Sequence, residues 1–279
     1  MITIFGIGTA GKNIAKLFSS HKNYNIFSFT TQEEDEVGHF QLRSSISPEK
    51  CEENIPDLSR IQKEVSEKIQ VFLCGSSFSS NYALGILEQF KDRKVEIFYI
   101  KPDADMLVGN KKLQEKVIFA VLQQYARSGL FDSITILSNP VIEQHLGNVP
   151  IKTYYQTINQ TIYYVVHYLN YFNNNEPLIG NSKETSEIQR IRTVGFSEHD
   201  RLSEKLFYQL DNQRDVSYIF CINKDKLEKD GELHRNITSK LKQKPRNAYK
   251  NISYSIYESH DNKDYGFCIA LTNVVQESE

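Results

Sequence analysis

The sequence has no tryptophan, only two methionines, and four cysteines in 279 residues. Cys51, Cys74, Cys221 and Cys268 show neither C-x-x-C nor metal-knuckle spacing, and the last three lie in apolar runs. This pattern reads as reduced, buried cysteines of a cytoplasmic protein, not as disulfides or a metal site. No apolar run reaches 18 residues, which argues against a membrane span. The apolar N-terminus lacks a basic leader and reads as a buried strand rather than a signal peptide. Charge of one sign is also missing: 33 Lys and Arg against 35 Asp and Glu leave −2. Neither a membrane nor a nucleic-acid surface is expected as the dominant partner. The seven histidines are scattered, and none pairs with a serine or cysteine at a catalytic spacing.

What is present is a globular composition, 39% hydrophobic and 24% charged, with room for one large domain or two modest ones. Strand signals at residues 2–7, 24–30, 70–74, 95–100 and 133–137 alternate with helical spacing at 13–20, 59–69, 81–90 and 113–128. Gly129 stands where the last of these helices needs a C-cap. The alternation predicts an α/β fold with a parallel sheet flanked by helices, whose ligands sit at the carboxyl ends of the strands. A long apolar helix follows over about 152–172, its stripe formed by Tyr155, Ile158, Ile162, Val165, Val166 and Leu169. Beyond it, 216–222 reads as a strand and 232–241 as a helix. Residues 251–257 and 266–272 read as a hairpin turning at 261–264. The expected organisation is a domain over 1–150, the long helix and its following loop over 151–180, and a smaller α/β domain over 181–279.

Two loops offer chemistry. Gly6, Gly8 and Gly11 form G-x-G-x-x-G between a strand and a helix. Glycines there allow close approach of a phosphate to the free N–H groups at a helix start. A tight strand-to-helix turn without a ligand is the plainer reading. The second loop, Gly75, Ser76, Ser77, Phe78, Ser79, Ser80 and Asn81, again joins a strand to a helix. Its hydroxyls and N–H groups suit an anion, while an ordinary serine-rich loop with Asn81 near an N-cap is the alternative. Lys12 opposes the dipole of the first helix and reads either as a phosphate partner or as a solvent-pointing side chain.

These segments, taken in order, resemble the tubulin/FtsZ superfamily of polymerising GTPases over nearly the whole chain. GIGTAGKNIAKLF is similar to the first glycine loop of that family and its asparagine, here Asn13. VFLCGSSFSSNYALGILEQF stands where the family has its glycine-rich signature, and FDSITILSNPVIEQHL resembles a later strand with its asparagine, Asn139. KTYYQTINQTIYYVVHYLNYF looks like the central helix. On it, Tyr155 matches the aromatic that stacks on guanine and Asn159 the residue that reads the base. The resemblance implies a nucleotide site for GTP or GDP, with Mg as a companion ion. Its residues are Gly6, Gly8, Gly11, Asn13, Gly75, Ser76, Ser77, Ser79, Ser80, Lys112, Asn139, Tyr155 and Asn159. It also implies head-to-tail self-association into filaments, with an acidic loop entering the pocket of the next subunit. Glu184 and Glu187 are the match for that loop; a charged helix start is the plainer reading.

The departures set the expectations lower. The signature loop keeps only Gly75, Phe78 is bulky where backbone meets phosphate, and 44–55 has no glycine. Val108 stands near a position where the family has an acid. Slow hydrolysis or none follows. One alternative keeps the assembly and drops the nucleotide. Another is a dinucleotide-dependent oxidoreductase using Glu33 or Glu34 for ribose. Only a few residues follow the last expected strand, so no C-terminal recruitment tail is expected.

Overall fold

A computed structural model of the chain describes residues 1–44, 47–180, 188–245, 251–259 and 263–277. They divide into two compact units, Met1–Tyr163 with Val275–Glu279, and Tyr164–Val274.

The first unit runs β1 (Ile2–Ile7), α1 (Gly8–Leu17), β2 (Tyr24–Thr30), β3 (His39–Gln41), α2 (Pro48–Glu52), β4 (Lys68–Cys74) and α3 (Ala83–Glu88). It continues through β5 (Lys94–Lys101), α4 (Asn110–Ser128), β6 (Ser133–Ser138), α5 (Asn139–Leu146) and α6 (Tyr154–Asn173), the last of which passes into the second unit. Its six strands pair in parallel in the order β3-β2-β1-β4-β5-β6. β1, β4, β5 and β6 are buried over nearly their whole length, as strands covered on both faces must be. Phe5 packs edge-on against Phe29 and Phe90 on one face, while Phe72 stacks on Phe98 at 4.9 Å and meets Phe18 of the turn after α1 on the other. The helix C-cap at Gly129 is as expected: φ is +86° and its N–H reaches the Ala126 carbonyl.

Two elements differ from expectation. Residues 59–69 do not form a helix; a single 3-10 turn covers Ser59–Ile61. Ile61, Val65 and Ile69 are all buried, as the spacing asks, but Ile69 is so within β4, paired with Thr3 and Val95. The Ser66 N–H goes to Thr3 Oγ1, so strand pairing overrides the helical pattern. The first helix starts at Gly8 rather than near residue 13, directly after β1.

The second unit holds the rest of α6 and then β7 (Ile179–Gly180), β8 (Ile191–Ser197), β9 (Glu204–Leu206), β10 (Asp215–Asn223), α7 (Lys224–Lys229), α8 (Leu233–Gln243), β11 (Asn251–Ser259) and β12 (Tyr265–Thr272). Its strand order is β8-β12-β10-β11-β7, with β9 on β8. The expected hairpin of the last two strands is therefore wrong: β10 lies between them, parallel to β11 and antiparallel to β12. Asp264, directly before β12, ties the start of that strand to the end of β10. It accepts the Asn223 N–H at 2.9 Å, the Lys226 ammonium at 2.5 Å and a hydrogen bond from His199 at 2.9 Å. Tyr168 and Phe172 of α6 pack on Phe267. Among the described residues no helix is long and apolar enough to cross a membrane.

Candidate functional site

Strand order reverses between β1 and β4, because the chain builds outward from β1 through β2 and β3 and then crosses back. A crevice forms at the carboxyl ends of such a pair. The register sets Gly6 beside Phe72 and Ile7 beside Leu73, so the glycine loop and the serine loop leave the sheet side by side.

The glycine loop is almost no loop at all. Gly8, with φ +75°, turns the chain from strand into helix in one residue, a conformation that other residues rarely adopt. The first turn of α1 has no side-chain cap and no acid, and a helix leaves its first four N–H groups without intrahelical partners. The glycines are also needed by the chain itself. A Cβ on Gly8 would lie 2.4 Å from Ser77 Oγ, and one on Gly11 only 2.1 Å from the Phe72 carbonyl oxygen. Asn13, on the same helix, is exposed. Lys12 does not point to solvent: it is buried and its ammonium is bonded to the Glu34 carboxylate. Lys16 adds a second, longer contact to Glu34 at 3.8 Å and pairs with Glu36 at 2.6 Å. The Lys12 hydrogen bond holds the Glu34 carboxyl below its ordinary value. Glu34, the ribose acceptor on the dinucleotide reading, is thus already engaged.

The serine loop turns inward. The Ser77 N–H bonds the Cys74 carbonyl, and the Ser80 N–H bonds that of Ser77. Ser80 Oγ donates to the Gly75 and Ser77 carbonyls, and the Ser76 hydroxyl lies 3.3 Å from Cys74 Sγ. Ser79 is buried. Sequence reasoning missed the residues that hold this arrangement. Gln114 of α4 donates from Nε2 to the Gly75 carbonyl at 2.9 Å and the Ser77 carbonyl at 2.7 Å, with Ser80 Oγ at 3.2 Å. Behind the loop, Tyr99 donates to Glu115 Oε1 at 3.1 Å, and Lys101 reaches the same oxygen at 3.2 Å. A Cβ on Gly75 would lie 1.9 Å from the Tyr99 hydroxyl. Burial, with the Glu115 carboxylate beside it, pushes the Tyr99 phenol well up; burial also raises the Cys74 thiol. Gln114 and Glu115 stand among many other polar and charged residues of α4, so no local sequence signal marks this cluster. Phe78 lines a groove between α3 and α4.

The remaining expected residues are spread around the same sheet end. Asn139 opens α5 directly after β6, and its buried Oδ1 has no hydrogen-bond partner among the described residues. Lys112 is in the first turn of α4, and Val108 before it is exposed. Tyr155, near the start of α6, is 70% exposed, while Asn159 one turn on is buried. The neighbouring Tyr154 donates to Glu143 at 3.1 Å; burial and that carboxylate push its phenol up to about 12. Glu184 and Glu187 lie outside the described residues. Among the described residues no group of three His, Cys, Asp or Glu side chains is arranged to hold a metal.

No protein-family model matches the chain, and no curated protein matches it by sequence. Solved structures do. The chain is similar to an empty FtsZ dimer of M. jannaschii at TM-score 0.68 and 12% identity, covering 97% of this chain and 88% of that one. A CetZ from Methanosaeta thermophila matches at TM-score 0.68 and 11% identity, over 98% of this chain and 86% of that one. A GTPγS-form protofilament of TubZ from Bacillus thuringiensis serovar israelensis matches at 0.66 and 15%, over 99% and 87%. At such identities the likeness is one of architecture, and it runs the length of the chain: the protein has the tubulin/FtsZ-like fold.

Proposed function

We propose that the chain is a tubulin-like assembly protein that binds a guanine nucleotide at the carboxyl ends of β1 and β4 and associates head to tail. The observation that carries this reading is the abutment of two glycine-opened loops at the strand-order reversal, with the uncapped first turn of α1 between strand and helix. The buried Oδ1 of Asn139 at the same sheet end, unpartnered among the described residues, is an acceptor in want of a donor. On this reading the N–H groups from Gly8 to Gly11, with Asn13, hold phosphates. Asn139 and Lys112 flank the sugar, Tyr155 offers its open ring to the base, and Asn159 reads the base edge. Mg would be held chiefly by the phosphates, since Glu34 is committed to Lys12. Turnover is slow or absent, and Glu184 and Glu187 would act on the nucleotide of the next subunit. A heterologous contact of this kind does not close on itself and builds filaments.

A second reading keeps assembly and drops the nucleotide. It is favoured by the serine loop, whose Ser77 and Ser80 N–H groups bond its own carbonyls, and by the neutralisation of Lys12.

Calorimetric titration with GTP, GDP, ATP and NAD, with and without Mg, separates them when run beside light scattering. The first reading expects GTP and GDP to bind and ATP and NAD not to. Tyr155→Ala should weaken GTP by about 1–2 kcal/mol, the loss of one base–aromatic stack, with an unchanged melting temperature. Absence of heat and of thermal shift at millimolar GTP and GDP, with assembly intact, would leave the second reading standing.

A further inference from the structure

α4 is inverted in part. Its buried face carries Glu115 at 1% exposure and Gln123 at 0%, the latter exchanging two hydrogen bonds with the backbone of Gln276. Its outer flank carries Leu113 at 65% and Val117 at 50%, followed at the same four-residue spacing by Val121 and the half-exposed Tyr125. Scattered apolar residues on a surface need no explanation, but a row of four on one helix does. The row forms one wall of a groove of about 1200 Å³, with α3 opposite and the buried Val95 and Phe131 at its floor. The groove exists because α3 is only six residues long, too short to cover the flank of a nineteen-residue α4.

We infer that this groove receives an amphipathic helix of another polypeptide, one with basic residues along the flank that meets Glu52 and Glu88. The inference does not depend on a nucleotide. From Leu113 to Tyr125 the row spans about 18 Å, just over three helical turns at 1.5 Å per residue. Side chains four apart form the ridge that packs into the groove of a facing helix. The volume exceeds the roughly 300–1,000 Å³ of ordinary small-molecule pockets. Charge sets the polarity of the partner. Glu52 and Glu88 line the groove on the α2–α3 side, and neither has an ion-pair partner among the described residues. Lys91, in the turn after α3, is the one lining cation and is equally unpaired among them.

The test uses the full chain and two fluorescent sixteen-residue probes. Both have leucine at every fourth and alternate third position; one carries lysines along one flank and the other glutamates. Fluorescence anisotropy should show saturable micromolar binding of the lysine probe and at least tenfold weaker binding of the glutamate probe. Leu113→Asp and Val117→Asp should each weaken the lysine probe by about tenfold without moving the melting temperature, because both side chains are exposed. Glu88→Lys should narrow or reverse the preference between the probes. Equal binding by wild type and both aspartate variants, or no binding of the lysine probe, would overturn the proposal. So would sedimentation showing that the chain self-associates and that Val117→Asp abolishes it, since the occupant would then be a second copy.

Discussion

The two loops at the reversal of strand order occupy equivalent places in the fold and account for their hydrogen bonds in opposite ways. After β1 the chain enters α1 at once, and no side chain caps the first-turn N–H groups. After β4 the chain folds back on itself: Ser80 bonds two carbonyls, Gln114 bonds the same two from outside, and Tyr99 fills the space behind Gly75. One loop leaves its donors without a side-chain cap and the other spends them internally. The same residue type, glycine, serves both. At Gly8 it supplies a positive φ, and at Gly75 it makes room for a phenol.

Four perturbations break or sharpen that contrast. The largest effect is expected at Gly11, where an alanine Cβ meets a backbone oxygen of β4 that cannot step aside. Gly11→Ala should cost about 3 kcal/mol or more in denaturant melts, an overpacking penalty at the high end. If it were neutral, the helix would not be pinned to the sheet there. Gly75→Ala should cost about 2–3 kcal/mol, because the obstacle is a side chain. A double-mutant cycle with Tyr99→Phe, which removes the obstructing oxygen, should recover part of that loss. Strict additivity would mean that the phenol does not shape the loop. Gln114→Ala strips the serine loop of its outside donor and should cost about 1–2 kcal/mol. It should also speed amide hydrogen exchange at residues 77–80 while leaving those of α1 unchanged. The smallest effect is at Glu34, whose carboxyl is held below its ordinary value by Lys12. The stabilisation is complete above the unfolded carboxyl range, near pH 4.3, and is lost as pH falls through the lower folded value. Wild type should therefore exceed Glu34→Gln in melting temperature at pH 7, with the gap closing below about pH 4. A gap that persists undiminished at pH 3 would show that the carboxylate charge is not what Lys12 needs.

Much of the first unit was readable because its signals are local. β1 and β2 begin and end where the apolar runs do, and the Gly129 cap ends α4 as its position implies. The early start of α1 was not readable, since three glycines look like a loop until Phe72 is seen to press on one of them. The helix expected at 59–69 failed because Ile69 belongs to a strand whose partners, Thr3 and Val95, lie far away in the chain. The hairpin failed for a related reason: short sequence separation favoured pairing β11 with β12, while the buried, apolar β10 pairs with both. At the candidate site the glycine and serine loops were readable as a pair. Their supports, Gln114, Tyr99 and Glu115, were not, because nothing local marks which polar residue of a helix faces inward.

The sequence by itself determined the alternation of strands and helices, the sites of the tight turns and the order of the segments that resemble tubulin and FtsZ. Periodicity, glycine and capping act over a few residues, so a single chain carries them in full. Only the tertiary structure decided which strand lies between which, and which loop keeps its donors. Those outcomes rest on contacts such as that of Gln114 with Gly75, thirty-nine residues apart, where burial forces every polar group to find a partner.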